Sequence, residues 1–446
     1  MTYAQEYKKK LVSAEEAVRC VKSGDHVEYS HFVAAPTYLD AFLAARKDEL
    51  RGVIVNGCTY PGIAQVAARD PNREHFIYNS WHFSDGDRHL GDQGLCSGIP
   101  FLYHEMNDLY DDYLQPDVFM VKVCPMDKNG YFNMGTSNSG QMSIAAKAKK
   151  IVVEVNNSMP YVYGGFGESI HIDKVDYIVE SDNTPLVEVK PLEPTEADSK
   201  VAKHILDVIE DGAVIQLGIG GMPNTLGSLI AESGLKNLGG HTEMLCKAYM
   251  LMIESGVMNN SLKPFDRGRI PYSFAMGDKV LYEWMDHNPM IASYPVGYCN
   301  SPYVLAKIDK LVSVNNTIEI DLFGQACSES AGYRQISGTG GQFDFHFSTF
   351  KSKGGKGILC LTSTHKRKDG SLESRIVPTL SPGTIVTVPR TVVQYVVTEH
   401  GMINLKGKNT WQRAEALISI AHPDFRDELV KEAEKMRIWV PASKRD

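Results

Sequence analysis

Glu243 ends the stretch Leu238-Gly239-Gly240-His241-Thr242-Glu243, just before the apolar helical run of residues 245–254. A strand handing over to a helix places it at the edge of an α/β sheet where ligands bind. A carboxylate there can act as a nucleophile and carry a covalent acyl group. It can equally be a solvated residue of the helix's first turn, favoured by the helix dipole. A second stretch, Gln216-Leu217-Gly218-Ile219-Gly220-Gly221-Met222-Pro223-Asn224, reads as a strand, a glycine turn and a helix opened by Pro223. Such a turn points backbone N–H groups at an anion or a polarised carbonyl oxygen, or it is simply a tight turn. Pro223 stands where a dinucleotide fingerprint needs its third glycine, although Glu243 lies 25 residues after Gly218, near the ribose-acid spacing. A third stretch, Ser337-Gly338-Thr339-Gly340-Gly341-Gln342-Phe343-Asp344-Phe345, is another glycine loop able to present donors.

Other clusters carry weaker signals. Lys366-Arg367-Lys368 could meet phosphates or be a solvated turn before Asp369-Gly370. His82, Asp85, Asp87 and His89 have a spacing that could hold a divalent metal, but the Asp-Gly-Asp reads as a turn in a loop, so no metal is expected. Met244, Met250 and Met252, with Leu245, Leu251 and Ile253, look like buried packing. There is no G-x-S-x-G element for a serine hydrolase.

The elements that must position these residues repeat along the chain. Ser13-Ala14-Glu15-Glu16 caps a helix with apolar positions Ala17, Val18 and Val21, Gly24 stops it, residues 26–32 form a strand, and Pro36 opens the next helix. The second half repeats the order. Thr195 and Asp198 start a helix with Val201, Ile205, Val208 and Ile209 on its apolar face, Gly212 ends it, residues 213–217 form a strand, and Pro223 opens the next helix. Pro185, Pro191 and Pro194 mark a linker between the halves. Strand-like runs at residues 53–55, 118–123, 151–155, 311–314, 318–322, 358–362 and 385–388 alternate with helical segments. The expected fold is α/β: two similar, open, largely parallel-sheet domains, 1–190 and 191–446.

Composition bounds the function. The 446 residues include 46 Lys+Arg and 54 Asp+Glu, a net charge of −8, which disfavours nucleic acid as a partner. No apolar run reaches the ~18–20 residues of a membrane span, and the first ten residues lack a signal peptide's apolar core. Eight scattered cysteines without C-x-x-C spacing read as reduced core residues of a cytoplasmic protein.

Taken in order, residues 216–224, 241–244 and 319–345 resemble the acetyl-CoA hydrolase/transferase family, and the likeness runs over essentially the whole chain. It is greatest to the butyryl-CoA:acetate and 4-hydroxybutyrate CoA-transferase branches. The resemblance implies a CoA-transferase fold with the active site at the interface of the two domains, and a homodimer or larger homo-oligomer. It implies coenzyme A as substrate and covalent intermediate, with no permanently bound cofactor, and acyl-CoA and short-chain carboxylates as partners. Glu243 matches the nucleophile that forms a mixed anhydride and then a glutamyl-CoA thioester. Asn300 matches a side-chain oxyanion donor and Gly341 a backbone one, although Asn300 before Ser301-Pro302 is also a ready turn former. Gly218, Ile219, Gly220, Gly221, Met222, Ile318, Gly338, Gly341 and Lys366 fall at CoA-binding positions, and His31, within Ser30-His31-Phe32, is a candidate for the acyl pocket. Cys327 stands close to where relatives often carry Asn, which bears on acyl preference. The same scaffold with water as acceptor would be an acyl-CoA hydrolase. The glycine loops alone would also suit a non-catalytic CoA- or nucleotide-binding protein.

Overall fold

Two parallel sheets organise the computed structural model, which describes residues 2–189, 193–218 and 220–438. The first has seven strands: β1 (His26–Tyr29), β2 (Val53–Gly57), β3 (Phe76–Ser80), β4 (Cys96–Gly98), β5 (Val118–Val123), β6 (Lys150–Val155) and β7 (Tyr177–Glu180). Their order is β4-β3-β2-β1-β5-β6-β7, with every pair parallel. All six residues of β5 and five of six in β6 are buried, as expected of parallel strands covered on both faces.

The second sheet has six strands: β8 (Val214–Leu217), β9 (Gly239–Gly240), β10 (Leu311–Asn316), β11 (Lys356–Cys360), β12 (Tyr395–Thr398) and β13 (Gly401–Asn404). Its order is β9-β8-β10-β11-β12-β13, parallel except for the final hairpin. In both sheets the first strand is central, the next lies on one side, and the chain then returns to build the other side. The order reverses between β1 and β5, and again between β8 and β10. The helix–strand–helix repeat is therefore real. α1 (Ala14–Ala17) leads into β1 as α2 (Glu196–Leu206) leads into β8. α3 (Thr37–Ala45) follows β1 as α4 (Gly221–Ala231) follows β8.

Several elements depart from the sequence pattern. The helix capped by Ser13, which follows an eight-residue helix Tyr3–Lys10, has one α-turn and continues as a 3₁₀ turn, Val18–Cys20. α2 stops at Leu206, before Val208 and Ile209. α4 starts at Gly221, two residues before Pro223. The strand after Asn316 is confined to Glu319–Asp321. Residues 385–388 are not a strand. Pro389 ends the run and a turn at Pro382-Gly383 begins it, so only a bridge between Val388 and Ala326 forms. Residues 85–92 are not a loop. Ser84 and Asp87 form a reciprocal capping box that starts the helix Asp85–Asp92.

The start of the proline-marked linker is docked rather than free. Val189 N–H donates to the Gly277 carbonyl, and Tyr282 Oη donates to that of Val187. Lys190 to Leu192 lie outside the described residues.

Candidate active site

Glu243 sits in a bend between two short paired segments, not directly at a strand-to-helix junction. Gly239–Gly240 belongs to the second sheet, while Met244–Leu245 pairs in parallel with Phe274–Ala275. The Glu243 carbonyl accepts from the N–H groups of Ser273 and Phe274. The Ser273 carbonyl in turn accepts from the N–H groups of Asn138 and Ser139, in the first half of the chain. Backbone from both halves thus fixes the glutamate's main chain.

Its carboxylate lies at the start of the helix Gln342–Thr349, whose N-cap is Gly341. Asn300 Nδ2 donates to Glu243 Oε2 at 2.6 Å, and the Gly341 N–H donates to the same carboxylate. Glycine is required at 341 by close approach. A Cβ there would stand 1.8 Å from Glu243 Oε2 and 2.2 Å from Asn300 Nδ2. Asn300 follows the turn Val296–Cys299, and its own N–H bonds the Val296 carbonyl. The structure thus brings Glu243, Asn300 and Gly341 into direct contact. Burial raises the Glu243 carboxyl to about 8; the Asn300 and Gly341 donors pull it down, and the nearby Asp344 carboxylate pushes it up.

The carboxylate opens on a cavity of about 920 Å³ lined from both halves of the chain. Gln216, Leu217, Gly218, Asn315 and Asn316 bring the carboxyl ends of β8 and β10 to it, so the crevice lies at the sheet's switch point. Gly221 and Met222 add the first turn of α4. Gly220 caps that helix at φ +131°, a conformation open to glycine, with no side-chain cap to occupy the amides. Ile318, Gly338 and Gly341 also line the cavity. Ile219 lies outside the described residues. Lys366 is exposed on the hairpin formed by Thr364–Lys366 and Leu372–Ser374, away from the cavity wall, where Arg375 and Thr362 stand instead. Cys327 is buried, with its thiol on the Ser330 carbonyl, and its neighbour Ser328 reaches the cavity.

A small recess of about 20 Å³ adjoins Glu243, walled by Phe32, Cys58, Phe101, Tyr103 and Phe274. The Phe32 and Phe274 rings stack with centroids 3.5 Å apart. Phe32 has φ +56°, uncommon for a bulky residue, and this aims its ring across the domain gap. His31 lies behind it, fully buried, with Nδ1 3.0 Å from Ser139 Oγ; burial lowers its pKa to about 3.

The sequence did not single out His82 for the cavity wall, nor Thr59, Tyr103, Phe274 or Arg375. His82 stood out only as a metal candidate. It packs against Gly338 and Gly340, and burial followed by Arg88 lowers its pKa to about 4, leaving a neutral ring. Asp87 instead accepts from Tyr78 Oη and Ser80 Oγ at 3.0 Å. Among the described residues no group of three or more His, Cys, Asp or Glu is placed to hold a metal ion. The only sequence signal for His82 was its position just after β3, at that strand's carboxyl end.

Patterns of the acetyl-CoA hydrolase/transferase N-terminal and C-terminal domains match residues 1–189 and 277–433. The chain is 46% identical over 446 residues to the butyryl-CoA:acetate CoA-transferase of Anaerostipes caccae, covering 100% of both chains. The chain belongs to the acetyl-CoA hydrolase/transferase family. Another family member, the probable butyrate:acetyl-CoA coenzyme A-transferase of Syntrophomonas wolfei, is 47% identical over 99% of this chain and 98% of its own. The crystal structure of RipA from Yersinia pestis superimposes with a TM-score of 0.90 at 34% identity, covering 98% of this chain and 100% of that one. These relatives span the full length, so the family likeness embraces both sheets and the cavity between them.

Proposed function

We propose that the protein is an acyl-CoA:carboxylate CoA-transferase. It moves CoA between a short-chain acyl-CoA, butyryl-CoA or 4-hydroxybutyryl-CoA, and acetate. The contact of a buried carboxylate with two hydrogen-bond donors at the mouth of a large cavity carries this reading. Full-length likeness to enzymes named CoA-transferases supports it.

In the proposed cycle a Glu243 oxygen attacks the thioester carbon and CoA leaves as thiolate, giving a mixed anhydride. The thiolate then attacks the glutamyl carbon and releases the first carboxylate, which leaves a glutamyl-CoA thioester. Acetate attacks that thioester, CoA leaves again, and the thiolate attacks the acetyl carbon. Acetyl-CoA departs and the free carboxylate returns. Each step exchanges one activated acyl group for another, so no ATP is consumed. Asn300 and Gly341 already hold the glutamate's oxygen, and in the intermediates the same donors would stabilise the oxyanion on its acyl carbon. The switch-point crevice and the α4 N-terminus suit CoA, and the aromatic recess has room for little more than one water-sized group, which favours short acyl chains.

The division of labour follows: residues 1–190 form the acyl-pocket domain and 191–446 the domain carrying the glutamate and CoA site. CoA acts as substrate, with no resident cofactor. Among the described residues no helix is long and apolar enough to cross a membrane. We assign the enzyme to the cytoplasm as a homodimer or larger homo-oligomer.

The test is chemical trapping. The enzyme is incubated with butyryl-CoA and treated with borohydride or hydroxylamine, and the modified residue is mapped. Modification at Glu243 is expected. An unmodified Glu243, together with full activity in Glu243→Ala, would end the proposal. CoA release measured with and without acetate separates transfer from hydrolysis, since a hydrolase needs no acetate. Tight CoA binding without exchange of labelled carboxylate would mark a binding protein.

A further inference from the structure

Asn300 is held on both amide hydrogens. One meets Glu243 Oε2 at 2.6 Å and the other meets Asp344 Oδ2 at 3.2 Å. Asp344 is fully buried in the first turn of the helix that Gly341 caps. Its two oxygens are also gripped from the first half of the chain. His104 Nδ1 lies 2.7 Å from Oδ1, and the His104 backbone N–H donates to Oδ2 at 3.1 Å. Asn107, three residues on, accepts from Gly297 N–H at 3.0 Å and tethers the turn that leads to Asn300. His104 also follows Tyr103, a wall of the aromatic recess.

A carboxylate accepts and cannot donate. Beside Asn300 it repels the amide oxygen and admits only the NH₂ group. Without it the Asn300 amide could turn over and present Oδ1 to the glutamate, replacing a donor by a repelling lone pair. We propose that Asp344, clamped by His104 across the two halves, is a positioning residue that fixes the Asn300 amide with its N–H on the reacting carboxylate. This rests on the reading of Glu243 as the acyl-accepting group.

Asp344→Asn is the sharpest variant. It keeps the shape but carries no charge, and its NH₂ group can take the place of either oxygen, so Asn300 is no longer limited to presenting its own NH₂. The expected result is a fall in kcat of about 10²-fold with KM for acyl-CoA within about twofold. The acid limb of the pH profile should also move to higher pH, because the Asn300 donor that is turned away lowers the Glu243 carboxyl more than the Asp344 charge raises it. The other titratable groups facing Glu243 are His82, Cys58, Tyr103 and Cys299, and none is altered by the substitution.

His104 is partly exposed, which makes it the safer second probe. His104→Ala should lower kcat about tenfold, equivalent to one lost charge-assisted hydrogen bond. His104→Asn, which keeps a donor near the Nδ1 position, should recover most of that loss. A folded Asp344→Asn enzyme with wild-type kcat and an acid limb that is unmoved or moved to lower pH overturns the proposal. If Asp344→Asn does not fold, the His104 pair decides: equal activity in Ala and Asn overturns it, and rescue by Asn supports it. Trapping on wild-type enzyme keeps the two ideas apart. A Glu243 adduct with no effect of Asp344 or His104 defeats only the positioning role, whereas no adduct defeats the transfer reading.

Discussion

In the first sheet the switch-point crevice between β1 and β5 is filled. Ser30 and His31 at the end of β1 are fully buried, and Ser139 from a loop of the same half closes over them. Asn138 and Ser139 then bond the backbone of Ser273, so the second half of the chain seals the crevice from outside. In the second sheet the equivalent crevice between β8 and β10 stays open, ringed by glycines and polar side chains, and forms part of the 920 Å³ cavity. One topology has therefore been used twice, once as a docking joint and once as a site. The joint holds the glutamate's backbone through Ser273 and Phe274 while its side chain lines the open cavity.

The largest effects should come from the open crevice. Glu243→Gln should remove transfer activity by several orders of magnitude, since an amide is a poor nucleophile and the other carboxylate on Asn300, Asp344, is fully buried and does not line the cavity. Gly341→Ala places a methyl against Glu243 Oε2, and Asn300→Ala deletes a donor. Each should reduce kcat about 10²–10³-fold in steady-state assays of butyryl-CoA and acetate. If Gly341→Ala behaved like wild type, the close approach would have no role in the chemistry.

The pH dependence comes next. As the proposed nucleophile Glu243 must be ionised to attack, and burial raises it to about 8. kcat/KM for acyl-CoA should therefore rise with pH and level off near pH 8, losing about tenfold per unit on the acid side. Stability should run the opposite way. In the unfolded chain a glutamate ionises near ~4.3, whereas in the fold it keeps its proton until about 8. The unfolded state thus binds fewer protons between these values, and stability falls as pH rises through that window. Glu243→Gln should flatten this fall and show a higher Tm than wild type at pH 8. An unchanged Tm difference between pH 5 and pH 8 would place the carboxylate in a wetter setting than the structure gives it.

The asymmetry between the crevices was only half legible in the sequence. The doubled helix–strand–helix opening was visible because capping residues and glycine stops are local signals. The glycine blocks pointed at the open crevice because glycine near a strand end leaves room for a ligand. The joint was not visible, because Ser139 is far in sequence from the adjacent pair Ser273 and Phe274, and all three are ordinary in type. Asp344 and His104 were missed for the same reason, since their meaning lies in a contact spanning 240 residues. Glu243 was found by motif, yet its raised pKa depends on burial, which pattern does not carry. Ile385 to Val388 misled because β-branched residues read as a strand even where prolines and a turn deny it neighbours.

A smaller effect is expected at the aromatic recess, where joint and site meet. Phe101→Ala should widen the recess beside Glu243 and shift preference toward longer acyl chains. Each added methylene in a hydrophobic pocket changes discrimination about 10-fold or more, so with two methylenes added the ratio of hexanoyl-CoA to butyryl-CoA kcat/KM should rise about 10²-fold. A panel of acyl-CoAs read by mass spectrometry checks this. An unchanged ratio would mean the acyl chain lies elsewhere in the cavity.

The smallest catalytic effect should come from the joint itself. Ser139 Oγ lies 3.0 Å from His31 Nδ1 and 2.7 Å from Tyr103 Oη, all buried. Ser139→Ala would leave two polar groups short of a partner and should lower stability by about 1–3 kcal/mol in guanidinium unfolding. Because the backbone bonds to Ser273 do not involve the side chain, Glu243 should stay in place and kcat should remain within about twofold. A filled crevice predicts this pairing of lost stability with kept activity. The reverse result, a large fall in kcat at unchanged stability, would mean that the first sheet's crevice also takes part in the chemistry, and the contrast between the two sheets would no longer hold.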